Sequence, residues 1–142
     1  MNLEAQNPES SVASAGGVEA SDVTIIVCGT CRDESGSDAH PRAGVQLWEN
    51  AQFAARDTGI SVQTVECLGN CKRRLSAAIV SPGRWTYVFG DLVVFSGSDL
   101  VAGAQLLNSS SDGLMPWRGR PDCLKRGLVA RIPPLPLSRT TS

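Results

Sequence analysis

With 142 residues, of which 42% are hydrophobic, the chain is long enough for one domain with a buried core but not for two. No apolar run approaches the roughly twenty residues of a membrane span, and the first residues lack the basic and apolar segments of a secretory signal. Five cysteines, an odd number, favour reduced thiols over a disulfide framework. The sequence therefore predicts a cytoplasmic protein that is not membrane-bound.

The net charge of −1 conceals an uneven distribution of charge along the chain. Residues 1–22 carry four acids and no base, whereas residues 113–142 carry six bases and one acid. Such a basic segment could contact nucleic acid, but Trp117 is its only aromatic residue and the pI of the chain is near 5.8. The composition therefore argues against nucleic acid as the partner.

The first predicted elements are a leader, a strand, a helix and a second strand. Residues 1–21 are rich in small and polar residues, which predicts a disordered leader. The apolar run at residues 23–27, ending at Cys28, is typical of a central strand covered on both faces. Residues 41–55 have a helical apolar periodicity with Pro41 in the first turn, and residues 61–66 predict a strand that runs into Cys67.

The remaining elements complete a β-α-β-β-β-α order. Residues 75–80 and 85–89 predict a hairpin around Pro82 and Gly83, and residues 99–107 predict a second main helix. Ser, Gly, Pro and Arg then dominate, so an extended, basic, Pro/Arg-rich tail is expected. The prediction is an α/β domain with a mixed four-stranded sheet over residues 22–110, followed by a tail at residues 111–142.

Four cysteines form two close pairs, Cys28/Cys31 and Cys67/Cys71, with thirty-five residues between the pairs. Thiolate ligands select zinc, copper(I) and iron–sulfur clusters over hard cations. The interval is too long for a zinc ribbon, in which the pairs are roughly fifteen to twenty residues apart, and the common ferredoxin cysteine spacings are absent. Because a right-handed β-α-β crossover makes the two strands parallel, both pairs should meet at one rim of the sheet. The sequence predicts a metal site there.

Three interpretations of these cysteines remain open. A [2Fe–2S] cluster needs two thiolates per iron and backbone N–H groups near the sulfurs, and Gly29 and Gly69 would allow such a close approach. Structural zinc would use the same four thiolates. The third interpretation is a thioredoxin-type dithiol at Cys28/Cys31, although a polar loop, rather than the start of a helix, follows Cys31.

The cysteine pattern and the element order together resemble the thioredoxin-like [2Fe–2S] ferredoxins, with a ligand layout similar to that of the iron–sulfur subunit of respiratory complex I. The chain is also similar to a bacterial family of unknown function labelled as predicted metal-binding proteins. The similar segments, across roughly residues 22–134, are Val-Cys-Gly-Thr-Cys at 27–31, Cys-Leu-Gly-Asn-Cys at 67–71, and the tail motifs at 116–120 and 131–134.

This resemblance implies a thioredoxin-like fold and a [2Fe–2S] cluster held by Cys28, Cys31, Cys67 and Cys71. It implies a small ferredoxin that carries one electron to a partner oxidoreductase, and not an enzyme with a substrate of its own. The narrower family accompanies proteins of cobalamin synthesis, which implies a link to cobalamin metabolism. A homodimer is an open alternative for the oligomeric state.

Other residues were weighed against this site. Arg32 and the run Lys72–Arg74 each follow a proposed ligand, where cations would stabilise an anionic cluster and attract an acidic partner; a solvated loop is the alternative. Cys123 stands alone and is not expected to be a ligand. His40, the only histidine, is interpreted as a loop or helix-entry residue. No catalytic triad, carboxylate pair or phosphate loop is present, so catalysis is not indicated.

Overall fold

The structure, a computed structural model, describes residues 21–32 and 40–135, and describes Cys71 by its backbone alone. The leader predicted at residues 1–21 lies outside the described residues except for Ser21. Within the described residues, no helix is long and apolar enough to cross a membrane.

Five strands form one mixed sheet in the described part of the chain. The strands are β1 (Thr24–Cys28), β2 (Ser61–Val65), β3 (Ala77–Val80), β4 (Thr86–Phe89) and β5 (Leu128–Ile132), and their order across the sheet is β2-β1-β3-β4-β5. Strands β1 and β2 are parallel, whereas β3, β4 and β5 each pair antiparallel with the preceding strand in that order. The predicted mixed sheet is confirmed.

Two helices of twelve residues, α1 (Ala43–Ala54) and α2 (Gly97–Asn108), pack against each other and against the sheet. They are the two main helices that the sequence predicted. A short helix, α3 (Asp122–Arg126), packs against α2 and β5. Its Leu124 is fully buried, and a Cβ atom on Gly103 would lie 2.5 Å from Leu124 Cδ1. The absent side chain at Gly103 thus lets α3 approach α2 closely.

The core follows the predicted periodicities. Strand β1 is an exception: Ile25 and Val27 are fully buried while Thr24 and Ile26 are partly exposed, so one face is fully covered and the expected burial of both faces is not found. On β4, Tyr87 and Phe89 are buried and stack with ring centroids 6.3 Å apart. Leu47, Leu100 and Leu107 bring the apolar faces of α1 and α2 into the same cluster.

The strand count corrects the prediction, because the sheet has five strands rather than four. The extra strand, β5, lies in the predicted tail and pairs with β4 along Thr86↔Ile132 to Phe89↔Leu128, with one irregularity near Val88. Four of its five residues are exposed, so it lacks the buried alternation that marks a strand in sequence, and its order comes from pairing with β4. The sheet therefore extends past residue 110.

Candidate metal centre

The two cysteine pairs follow parallel strands that end at the same edge of the sheet. Cys28, the last residue of β1, is in register with Val65, the last residue of β2. The pairing continues one residue further, where the Gly29 N–H donates to the Val65 carbonyl at 2.8 Å. On the other side, the Cys28 N–H donates to the Ser76 carbonyl at 3.1 Å. The backbone at Cys28 is therefore fixed from both neighbouring chain segments.

The first cysteine loop, residues 28–32, buries its two cysteines and packs against the start of α1. Cys28 and Cys31 are only 3% and 6% exposed. The Gly44 N–H donates to the Cys31 carbonyl at 2.9 Å, and a Cβ atom at Gly44 would lie 2.1 Å from the Cys28 carbonyl oxygen. Arg42 donates from Nη1 to the Thr30 carbonyl at 3.1 Å. The first turn of α1 thus sets the position of both thiols.

The second cysteine loop, residues 66–76, is more exposed and turns sharply. Gly69 has φ of 76°, a left-handed conformation that favours glycine. Its N–H donates to Cys67 Sγ at 3.2 Å, and Cys67 is exposed. The 3₁₀ turn Cys71–Arg73 follows. The Asn70 side-chain amide donates to Ser76 Oγ at 2.9 Å, which joins the two ends of the loop.

The loop between β4 and α2 clamps this 3₁₀ turn. The Asp91 N–H donates to the Arg73 carbonyl at 2.7 Å, and Arg73 Nε forms an ion pair with Asp91 Oδ2 at 2.8 Å. A Cβ atom at Gly90 would lie 2.5 Å from both the Arg73 carbonyl oxygen and Asn70 Nδ2. Arg73 therefore has a structural partner, which separates it from its neighbours Lys72 and Arg74.

The two cysteine loops touch through Glu66 and Leu68. Cys28 Sγ lies 3.8 Å from the Glu66 carbonyl oxygen, and the Thr30 hydroxyl donates to the same oxygen. Burial raises the pKa of Cys28, but hydrogen bonds from the Cys31 side chain and the Leu68 backbone outweigh it, so the pKa lies below its usual value. The lowered pKa shifts Cys28 toward the thiolate, which is the form that binds metal.

A cleft of about 310 Å³ opens beside the first cysteine loop. It is lined by Cys28 and Cys31 together with Thr30, Arg32, Arg42 and Arg74. Arg74 comes from the second cysteine loop, so the cleft lies where the two loops meet. Three guanidinium groups near two buried thiols give this position a positive potential, which lowers the cost of holding negative charge on sulfur.

The described residues fit a thiolate-bound group in their chemistry. Soft sulfur donors lie at the rim, and backbone N–H groups donate to the sulfurs of Cys28 and Cys67, as cluster sulfurs require. Among the described side chains, no three Cys, His, Asp or Glu residues converge as metal ligands do. The side chain of Cys71 lies outside the described part of the chain, so the set of four ligands stays a prediction.

The residues that the sequence set aside lie elsewhere in the fold. Cys123, on α3, donates from its thiol to Asp99 Oδ2 at 3.4 Å. Burial, together with the hydrogen bond and the charge of Asp99, raises the pKa of Cys123 to about 11. This thiol is therefore protonated at neutral pH and poorly suited to bind metal. His40 is exposed at the entry to α1.

Three residues of this site were not singled out from the sequence. Gly44 carried a usable signal, because a glycine in the first turn of a helix often marks a close approach of another chain segment. Asn70 lay within the second cysteine motif, but its bond to Ser76 depends on the tertiary fold. Nothing in the sequence marks Arg42 as lining the cleft.

Comparisons with known proteins agree with this geometry. The family described as "Protein of unknown function (DUF1636)" matches residues 25–134. The chain belongs to this family. No curated protein matches the sequence. Among solved structures, a thioredoxin-like [2Fe–2S] ferredoxin from Aquifex aeolicus is similar, with a TM-score of 0.52, 11% sequence identity, and coverage of 84% of this chain and 100% of that one. At this identity the likeness shows that the fold is thioredoxin-like.

Proposed function

We propose that this chain is a small electron carrier that holds a [2Fe–2S] cluster through Cys28, Cys31, Cys67 and Cys71. The observation that carries the proposal is the contact between the two cysteine loops, where Cys28 Sγ lies 3.8 Å from the Glu66 carbonyl oxygen at the common end of β1 and β2. Two pairs on touching loops would supply the two thiolates that each iron needs. The group would give the chain its one-electron chemistry.

The surroundings of the cysteines support a redox centre near the surface. Arg32, Arg42 and Arg74 line the cleft beside the first pair, and cations there would stabilise the reduced, more negative state of the site. Cys67 is exposed, so a partner protein would approach the site from the side of the second cysteine loop. The solved ferredoxin with the same fold supports this interpretation by analogy of fold alone.

Iron and acid-labile sulfide analysis of anaerobically purified protein tests the proposal. We expect about two irons and two sulfides per chain, visible charge-transfer absorption, and an electron paramagnetic resonance signal after one-electron reduction. Colourless protein with one zinc per chain would instead establish the structural zinc site. The cytoplasmic location, the oxidoreductase partner and the link to cobalamin metabolism stay predictions under this proposal.

A second candidate is a metal-free dithiol at Cys28 and Cys31. The lowered pKa of Cys28 and its hydrogen bond with the Cys31 side chain favour it, because a thiolate beside a second thiol is the arrangement that exchanges with disulfides. Burial of both side chains argues against it, since an exchanging thiol must reach its substrate. Reduction of insulin disulfides by freshly purified protein without bound metal would distinguish this candidate from the electron carrier.

A further inference from the structure

A strip of cations extends from the second cysteine loop along the end of α3. Lys72, Arg73 and Arg74 follow Cys71, and Arg73 Nη2 donates to the Arg126 carbonyl at 3.3 Å. The Gly90 N–H donates to the Gly127 carbonyl at 2.8 Å, which holds the end of α3 against the β4–α2 loop that clamps Arg73. The basic run and the basic tail are therefore neighbours in space, although Arg73 and Arg126 are 53 residues apart in sequence.

The strip ends at an exposed tryptophan. Trp117 is 61% exposed, and Lys125 Nζ lies 4.9 Å from the centre of its ring. Arg118 is exposed beside it. Tryptophan and arginine are the residue types most enriched among those that carry protein–protein binding energy. We call this surface the basic strip. It consists of Trp117 and six cationic residues: Lys72, Arg73, Arg74, Arg118, Lys125 and Arg126.

The turn that carries Trp117 is fixed by the buried side chain of Arg120 and by Tyr87. Arg120 is buried, and its guanidinium donates to the carbonyls of Met115 and Pro116. The guanidinium lies 5.5 Å from the Tyr87 ring centre and 5.2 Å from that of Trp117, while the Tyr87 hydroxyl accepts from the Met115 N–H at 2.8 Å. Trp117 is thus presented on a fixed turn, which reduces the ordering cost of binding.

The net charge of the strip is opposite in sign to that of the whole chain. Among the described residues, two acids form ion pairs with arginines of the strip: Asp91 with Arg73 at 2.8 Å, and Asp122 with Arg126 at 4.0 Å. Six cations against two acids leave the strip positive, although the whole chain carries −1. The positive potential is therefore concentrated on one surface that begins at the candidate metal centre.

We infer that the basic strip is the docking surface for an acidic protein partner, with Trp117 as its anchor. Charge complementarity favours an acidic partner and would speed its association. The position next to Cys67 and Cys71 would bring that partner to the candidate metal centre. Identifying the partner as an oxidoreductase rests on the proposed function, whereas the acidic docking surface does not. The strip carries one aromatic side chain, Trp117, whereas proteins that bind single-stranded nucleic acid present several aromatic residues on which successive bases stack.

Binding of an acidic peptide tests the surface without reference to any cofactor. The probe is a dye-labelled, capped octaglutamate, with octathymidylate as the nucleic-acid comparison, and the readout is fluorescence anisotropy of the full-length protein at low salt. Lys72→Gln with Arg126→Gln removes two cations of the strip. Arg56→Gln is the control, because Arg56 packs on Phe53 just beyond the end of α1, and its effect is also compared with that of Arg126→Gln alone, which removes the same charge.

We expect the strip variant to weaken octaglutamate binding roughly three- to tenfold, since exposed charge pairs contribute modestly, and the control to weaken it less than twofold. Trp117→Ala should weaken binding by a similar factor without any change in charge. Equal losses in the strip and control variants would overturn the inference. Tighter binding of octathymidylate than of octaglutamate, lost in the strip variant, would also overturn it and assign the surface to nucleic acid.

A second measurement uses the metal-loaded protein. Two oxidants of opposite charge each accept one electron from the reduced protein. Ferricyanide is an anion and becomes ferrocyanide, whereas hexaammineruthenium(III) is a cation and becomes hexaammineruthenium(II). The strip variant should react more slowly with ferricyanide and faster with hexaammineruthenium(III) than the control, because attraction of the anion is lost. Both differences should shrink at high salt. If, for each oxidant, the strip variant and the control reacted at the same rate, the placement of the strip beside the electron-transfer site would be contradicted. Protein that binds the peptide but contains no iron would refute only the proposed function.

Discussion

The two cysteine loops meet at one edge of the sheet but are held by different kinds of contact. In the first cysteine loop both thiols are buried, and Gly44 of α1 packs closely against the Cys28 carbonyl. The second cysteine loop is exposed at Cys67 and depends more on polar side chains, above all Asn70 with Ser76 and Arg73 with Asp91, although Gly90 also packs on the Arg73 carbonyl. Backbone packing leaves little room for adjustment.

This difference suggests a division of labour at the candidate metal centre. A loop held by close-packed backbone keeps its thiols in place whether or not a metal is bound, which supplies preorganisation. A loop that is exposed at Cys67 and depends on a few polar side-chain contacts opens at lower free energy cost. We therefore expect the first cysteine loop to define the site and the second cysteine loop to admit and enclose the bound group.

The largest expected effect tests whether both loops supply ligands. Changing any one of Cys28, Cys31, Cys67 or Cys71 to Ala should abolish the visible absorption and most of the bound iron, because each would remove one of four thiolates. Cys123→Ala is the matched control and should retain both. A spectrum that survives the loss of Cys67 or Cys71 but not of Cys123 would show that the second loop does not supply ligands.

The next effect compares the glycine that supports each loop. Gly44→Ala places a Cβ atom 2.1 Å from the Cys28 carbonyl oxygen, which should lower the free energy of unfolding by about 3 kcal/mol and displace the first pair. Gly69→Ala meets no atom within 4 Å but must keep φ at 76°, which should cost about 1 kcal/mol. Urea denaturation measures both. A smaller loss for Gly44→Ala than for Gly69→Ala would contradict the backbone-packed first loop.

A third effect addresses the polar clamp of the second cysteine loop. Asn70→Ala removes the 2.9 Å hydrogen bond to Ser76 Oγ and should lower the free energy of unfolding by about 1 kcal/mol. It should also speed the loss of metal to a chelator, because the loop opens more often. Asn50→Ala is the matched control, since Asn50 Oδ1 accepts from the Gly97 N–H at 2.8 Å, outside both cysteine loops.

For Asn50→Ala we expect a similar loss of stability with an unchanged rate of metal release. If both variants released metal at the same rate, the clamp would contribute to global stability alone. The comparison therefore separates opening of the second cysteine loop from unfolding of the whole domain.

The fold was largely predictable from the sequence, because β1, α1, β2 and the β3–β4 hairpin each follow a local periodicity of apolar residues. Strand β5 was missed because its residues are mostly exposed and its place is determined by pairing with β4. The meeting of the two loops followed from the parallel order of β1 and β2. The different roles of Arg73, which pairs with Asp91, and Arg74, which lines the cleft, could not be predicted. Their partners lie far away in sequence and come near only in the tertiary structure.

The smallest expected effect distinguishes those two arginines. Arg74 lines the cleft with Cys28 and Cys31, whereas the charge of Arg73 is offset by Asp91 at 2.8 Å. Under the proposed function, reduction adds negative charge to the site, so a nearby unbalanced cation should raise the reduction potential. Arg74→Gln should lower that potential by an amount on the order of tens of millivolts.

Arg73→Gln should lower the reduction potential less, because the charges of Arg73 and Asp91 nearly cancel at the distance of the site. Asp91→Asn should raise the potential slightly, because it leaves the charge of Arg73 without its counter-charge. Spectroelectrochemical titration of the three variants at low and high salt measures these shifts, with salt reducing the effect of the more exposed pair. A larger shift for Arg73→Gln than for Arg74→Gln would mean that the bound group lies toward the β4–α2 loop. The second cysteine loop, and not the cleft beside the first, would then define the electrostatics of the centre.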